Sequence, residues 1–105
     1  MEIQHIEYFL AICDELNFTR AANRCGVAQP TVTAAIQRME RNVGGALFQR
    51  SPRPPYVQPT VLGRQLYPIC LQISELLAKA QAIGGSVNGS KSRAPKMTVP
   101  VLSWR

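Results

Sequence analysis

Gln29, Thr31, Thr33, Gln37, Arg38 and Arg41 fall close together in one short stretch of the chain. Their amide, hydroxyl and guanidinium groups suit hydrogen bonding to base edges and phosphates. Gln can pair bidentately with adenine, Thr can bond a base edge or touch a thymine methyl, and Arg favours guanine or phosphate. If the stretch is a helix beginning at Gln29, its first residues reach deepest. Gln29, Pro30, Thr31 and Thr33 are therefore the base-reading candidates, with Gln37 on the same outward face and Arg38 and Arg41 as phosphate clamps. Thr19 and Arg20, just upstream, could meet the backbone of a duplex. Arg50 and Arg53, downstream, suit phosphates or a narrow minor groove, which attracts Arg. Each has a plainer alternative: solvent-facing polarity for Gln29 and Thr33, a surface charge for Arg20, pairing with nearby acids for Arg41, and pairing with the carboxylates of the first helix for Arg50. His5, the lone imidazole, has no Cys or second His near it and reads as a surface or packing residue. Tyr8 and Phe9 read as core. Neither a nucleophile–base pair, nor a metal constellation, nor a phosphate-cradling Gly loop is visible, so catalysis, a metal and a cofactor are not expected.

The elements that must position these residues follow from punctuation and periodicity. Phe18 to Met39 reads as two short helices joined by a tight turn. Asn17 can cap the first, Gly26 can close it in the left-handed conformation, and Pro30 suits the first turn of the second. Ala22, Cys25, Val27, Val32, Ile36 and Met39 mark its buried side, and small Ala21 and Ala22 allow a close helix crossing. A helix-turn-helix has this layout. A first helix is expected from Ile3 to Leu16, with Ile6, Phe9, Leu10 and Cys13 on one face, and the third helix from Gln29 to about Val43, stopped by Gly44 and Gly45. Two extended pieces, Phe48–Arg50 and Tyr56–Gln58, could pair around a Pro-rich tip as a wing, since Pro52, Pro54 and Pro55 cannot donate to a ladder.

A long helix is expected from a cap at Thr60 to Ile83. Leu62, Leu66, Ile69, Ile73, Leu76, Ala80 and Ile83 recur at alternating intervals of four and three, a two-position heptad seam. A helix of ~36 Å, at 1.5 Å per residue, is too long for one small domain to cover. The seam asks for a partner, most simply a second copy; packing only on the chain's own first helix is the alternative. Pro68 should cost about 3 kcal/mol or kink the helix. The expected fold class is mainly α: a winged helix-turn-helix (a three-helix bundle with a short β-hairpin wing) over residues 1–60, its helix-turn-helix motif at about 18–37. A dimerisation helix follows over 61–83, and a flexible basic tail over 84–105.

The chain has 105 residues, is 46% hydrophobic and carries a formal net charge of +6. That balance favours a polyanionic partner. Its distribution is uneven: Glu2, Glu7, Asp14 and Glu15 stand without a basic residue in the first fifteen positions, and Lys and Arg dominate afterwards. Cys13, Cys25 and Cys70 are odd in number and too widely spaced for a zinc pattern, so they read as packed thiols. No signal core or membrane-length apolar run is present, and a cytoplasmic, reducing location is expected.

The stretch FTRAANRCGVAQPTVTAAIQRMERNVGGALFQR resembles the N-terminal domain of LysR-type transcriptional regulators. The likeness extends back to Ile6-Glu7-Tyr8-Phe9 and forward through Thr60 and Gly63 into the long helix with its Pro68, covering roughly residues 1–83. It implies a bacterial regulator that dimerises through its linker helix and binds double-stranded DNA at interrupted inverted repeats near promoters. Higher oligomers and RNA polymerase are further candidate partners. In that family the Gln, Pro and Ser/Thr positions that match these candidates contact DNA. Three departures stand out: Ala28 where Ser is frequent, Ala34 where a basic residue is frequent, and Val61-Leu62 where an acidic residue and Ala are usual. The family's effector domain has no counterpart in these residues, so no small-molecule site is expected in this chain. A second reading is a truncated regulator, an interaction module that dimerises with and modulates a full-length relative.

Overall fold

The computed structural model describes residues 1–88. Three helices come first: α1 (Ile3–Glu15), α2 (Phe18–Cys25) and α3 (Gln29–Val43). Strands β1 (Phe48–Arg50) and β2 (Val57–Pro59) form an antiparallel hairpin, and α4 (Val61–Asn88) completes the described chain.

Local chemistry sets most of these boundaries. α1 ends one residue earlier than its apolar pattern suggested, because Leu16 turns left-handed (φ 52°) and its N–H donates to the Ile12 carbonyl at 2.7 Å. Asn17 Oδ1 accepts from the Arg20 N–H at 2.8 Å and so caps α2. Gly26 (φ 73°) and Gly44 (φ 85°) close α2 and α3 in the conformation glycine adopts without steric cost. α3 begins with Pro30 in its first turn, and its cap position, Ala28, supplies no side-chain hydrogen bond.

Between Met1 and Ser74 the chain forms one compact unit. Its core is built from Phe9 and Ile12 of α1, Ala21 and Ala22 of α2, Val32, Ile36 and Met39 of α3, and Leu47, Val57 and Cys70. The second strand lies one residue later than Tyr56–Gln58. Phe48 faces Pro59, Gln49 faces Gln58 and Arg50 faces Val57. Burial decides this register: Val57 is 4% exposed and Tyr56 57%, and a one-residue slip would exchange them. Tyr56 instead closes the tip, its carbonyl accepting from the Ser51 N–H at 2.9 Å.

Thr60 ties α4 to the root of the hairpin. Its hydroxyl donates to the Ala46 carbonyl at 2.6 Å and accepts from the Gly63 N–H at 3.1 Å, while its own N–H donates to the Leu47 carbonyl at 2.9 Å. Gly63 is buried, and a Cβ there would collide with the Leu47 carbonyl oxygen. Within this unit Leu62, Leu66, Tyr67 and Ile73 pack in part against the core, so three of the seven expected seam residues, Leu62, Leu66 and Ile73, already serve the chain's own interior in part. Ile69 stands 53% exposed. α4 continues through Pro68, which lies on the exposed side of the helix where water can replace the lost hydrogen bond.

From Glu75 the chain belongs to a second unit, described over residues 75–88. The helix runs five residues past the expected stop at Ile83. Gly84 and Gly85 weaken a helix by about 1 kcal/mol each relative to Ala but do not end it unaided. Leu76 is 62% and Ile83 67% exposed, and Ala80 is exposed as well. The tail expected beyond residue 88 lies outside the described residues.

The three thiols are free. Cys70 is buried and Cys13 half-buried; burial, then Asp14 and Cys70, push the Cys13 thiol up to about 12. Burial also raises Cys25 and Cys70. Thiols held protonated pack as small apolar groups rather than react.

Candidate nucleic-acid interface

α3 divides by face. Val32, Ala35, Ile36 and Met39 are buried, whereas Pro30, Thr31, Ala34, Gln37, Arg38 and Arg41 are exposed. At 3.6 residues per turn, Pro30, Ala34, Gln37 and Arg41 line the ridge opposite the core. Ala34 thus leaves a smooth, uncharged step in the middle of the polar face.

The two edges of that ridge differ. On one, Gln29 Nε2 donates to Thr33 Oγ1 at 3.1 Å, fixing two half-buried side chains one turn apart. Thr33 and Gln37 then line a groove with Phe18, Glu40, Phe48 and Arg50, between α3 and the hairpin. On the other edge, Arg38 and Arg41 line a separate cleft with Met1, Glu2, His5 and Asn42. The structure therefore gathers Gln29, Thr33, Gln37 and Arg50 on the hairpin side and places Arg38 on the α1 side. Thr19 and Arg20 are exposed in the first turn of α2, and Arg53 is exposed at the hairpin tip, where its N–H donates to Ser51 Oγ at 3.2 Å.

Arg50 has a partner other than an acid. Its guanidinium lies 4.7 Å from the centre of the Phe18 ring, a cation–π contact. Phe18 meets Phe48 edge-on at 5.8 Å, and Phe48 meets Phe9 at a tilt at 5.4 Å, so the root of the hairpin rests on α1 and α2 through a cluster of aromatic rings. Arg50 is two residues from Phe48 and so on the same face of the strand, but its partner ring belongs to α2 and is met only in the folded chain. Glu40 is a second residue that periodicity did not single out. Its Oε2 accepts from the Leu47 N–H at 2.9 Å and fastens the end of α3 to the start of the hairpin.

Arg20, Arg38, Arg41, Arg50 and Arg53 form no ion pair among the described residues, in contrast to Arg24, which meets Asp14 at 3.2 Å and Glu15 at 3.4 Å. Hydrogen bonding to Asp14, above all, pushes the Arg24 guanidinium further up. No group of three His, Cys, Asp or Glu side chains that could hold a metal occurs among the described residues, and no described helix is long and apolar enough to cross a membrane.

Residues 3–64 match the family model described as the bacterial regulatory helix-turn-helix protein, lysR family. The chain belongs to the LysR family. It is 38% identical over 94 residues to the HTH-type transcriptional regulator BudR of Raoultella terrigena, covering 86% of this chain and 32% of that one. To the regulator BenM of Acinetobacter baylyi it is 36% identical over 73 residues, covering 70% of this chain and 23% of that one. The chain thus spans about a third or less of the length of these two relatives. Among solved structures it is similar to the BenM DNA-binding domain in complex with catB site 1 DNA, with a TM-score of 0.76 and 29% identity over 89% of this chain and 100% of that one. It is also similar to the CbnR DNA-binding domain–DNA complex, with a TM-score of 0.74 and 29% identity over 83% and 98% of the two chains. The fold is accordingly the winged helix-turn-helix of LysR-family DNA-binding domains, and the family is one of transcriptional regulators rather than of enzymes.

Proposed function

We propose that this protein is a sequence-specific, DNA-binding transcriptional regulator that lays α3 in the major groove. The observation that carries the reading is the division of α3 into a buried apolar face and an outward face of amide, hydroxyl and guanidinium groups free of acidic partners. Gln29, Pro30, Thr31 and Thr33 read base edges, with Gln37 beside them. Thr19, Arg20 and Arg38 bind phosphates, and Arg50 and Arg53 carry the hairpin onto the backbone or the minor groove. The Gln29–Thr33 hydrogen bond holds the reading amide in one orientation before DNA arrives, which lowers the ordering cost of binding. The similarity to two domains solved on DNA supports this reading over that of an interaction module without DNA affinity.

Dimerisation through α4 belongs to the same proposal, with Leu62, Leu66, Ile69, Ile73, Leu76 and Ala80 in the interface. Exposure of Ile69 and Leu76, seven residues apart on one helix, supports it. A twofold dimer would read an interrupted inverted repeat, in the cytoplasm, with RNA polymerase as a further partner. We assign the chain no catalytic step. Selection from a randomised duplex library tests the whole reading: two related half-sites with fixed spacing should be enriched, and a pool that stays random would refute it.

A further inference from the structure

We propose that α1 and α3 together form a seat for one backbone phosphate, in the cleft lined by Met1, Glu2, His5, Arg38, Arg41 and Asn42. The inference rests on the DNA-binding reading and adds the flank that base contacts alone do not use. Arg38 and Arg41 are three residues apart, hence neighbours on the helix surface, and both are exposed. Asn42 adds a neutral amide donor at the same rim. The one carboxylate lining the cleft is Glu2, and it pairs with neither guanidinium among the described residues. It sits instead beside His5 Nε2 at 3.6 Å, while the imidazole ring lies against Tyr8 with centroids 6.4 Å apart. Glu2 thus lies beside His5 rather than beside either guanidinium, and two cations face one concave surface. Two guanidiniums and an amide around a single hollow match the oxygens of one phosphodiester. The occupant is a phosphate of the duplex, because the cleft flanks the ridge that carries the base-reading residues.

Salt titration separates one shared phosphate from two independent ones. The full chain is titrated against a scrambled-sequence duplex of about 30 base pairs between about 50 and 200 mM salt, and log affinity is plotted against log salt. Each phosphate neutralised contributes about 0.9 to the slope. R38Q and R41Q should each lower it by less than that, and the double variant by about 0.9 in total. A double variant that loses about 1.8, the sum for two separate phosphates, overturns the shared seat, as does one that keeps the wild-type slope. N42A should weaken binding about two- to ten-fold with its slope unaltered; full wild-type affinity removes Asn42 from the seat. A wild-type chain whose affinity ignores salt would sink the DNA reading itself, which distinguishes that failure from failure of the seat alone.

Discussion

The α3–hairpin face and the outer face of α1 and α2 both present arginine, yet they hold it differently. On the outer face Arg24 is fastened to Asp14 and Glu15. On the other, Arg38, Arg41 and Arg53 meet no acid among the described residues, and Arg50 lies on an aromatic ring. A net charge of +6 therefore understates the contrast. Asp14 and Glu15, at the end of the acidic first helix, neutralise Arg24 and leave Arg38, Arg41 and Arg53 without an acidic partner among the described residues, so one domain holds both neutralised and free arginine. On the proposed reading, this division would orient a duplex before any base is read.

The largest expected effect breaks the scaffold that presents the positive face. Gly63→Val would drive a branched side chain into the Leu47 carbonyl where α4 crosses the hairpin root. Overpacking of that kind costs about 3 kcal/mol, and the neighbour here is backbone, which cannot swing aside. Thermal unfolding followed by circular dichroism should show a melting point well below wild type. An unchanged melting point would mean that the hairpin is not braced by this crossing.

Gln29→Ala sharpens the attractive side of the comparison. Losing the amide that Thr33 steadies should weaken binding to the selected site by roughly 1–3 kcal/mol and relax base preference at one position. Selection repeated with the variant reads both, and an unaltered consensus would remove Gln29 from base recognition. Arg53→Ala should act more evenly. Affinity should fall to a similar extent on selected and scrambled duplexes, with the salt slope lower by about one unit. A slope that stays at its wild-type value would place the hairpin tip away from phosphate.

Much of this arrangement was written locally. The bounds of α2 and α3 follow from Asn17, Gly26, Pro30 and Gly44, residues whose backbone preferences act within a turn of where they stand. The inward and outward faces of α3 follow from its period alone. Features set by distant contacts were harder to read. The offset of the second strand depends on burying Val57 rather than Tyr56, which only the assembled core decides. Arg50 was legible as a cation, but its seat on Phe18 requires α2 and β1 to meet. The same holds for Glu40 and the Leu47 N–H, and for the crossing at Gly63, where the partner is a backbone atom with no sequence signature. α4 outran its expected end because glycine outside the αL conformation is a weak stop, and Gly84 and Gly85, unlike Gly26 and Gly44, do not adopt it.

The smallest expected effect is also the most direct check on the two-faced picture. Arg24→Ala removes a cation, and by charge counting alone it should weaken DNA binding as much as any other arginine. Its guanidinium already answers two carboxylates of α1. The substitution should therefore leave the salt slope where it was, whereas Arg53→Ala lowers it. Exposed ion pairs of this sort contribute little to stability, so the fold should tolerate the change. Removing Arg24 also unmasks Asp14 and Glu15, which deepens the acidic side without touching the positive one. If Arg24→Ala lowered the slope as Arg53→Ala does, the duplex would have to reach the outer face as well, and the asymmetry between the two faces would no longer explain how the domain is oriented.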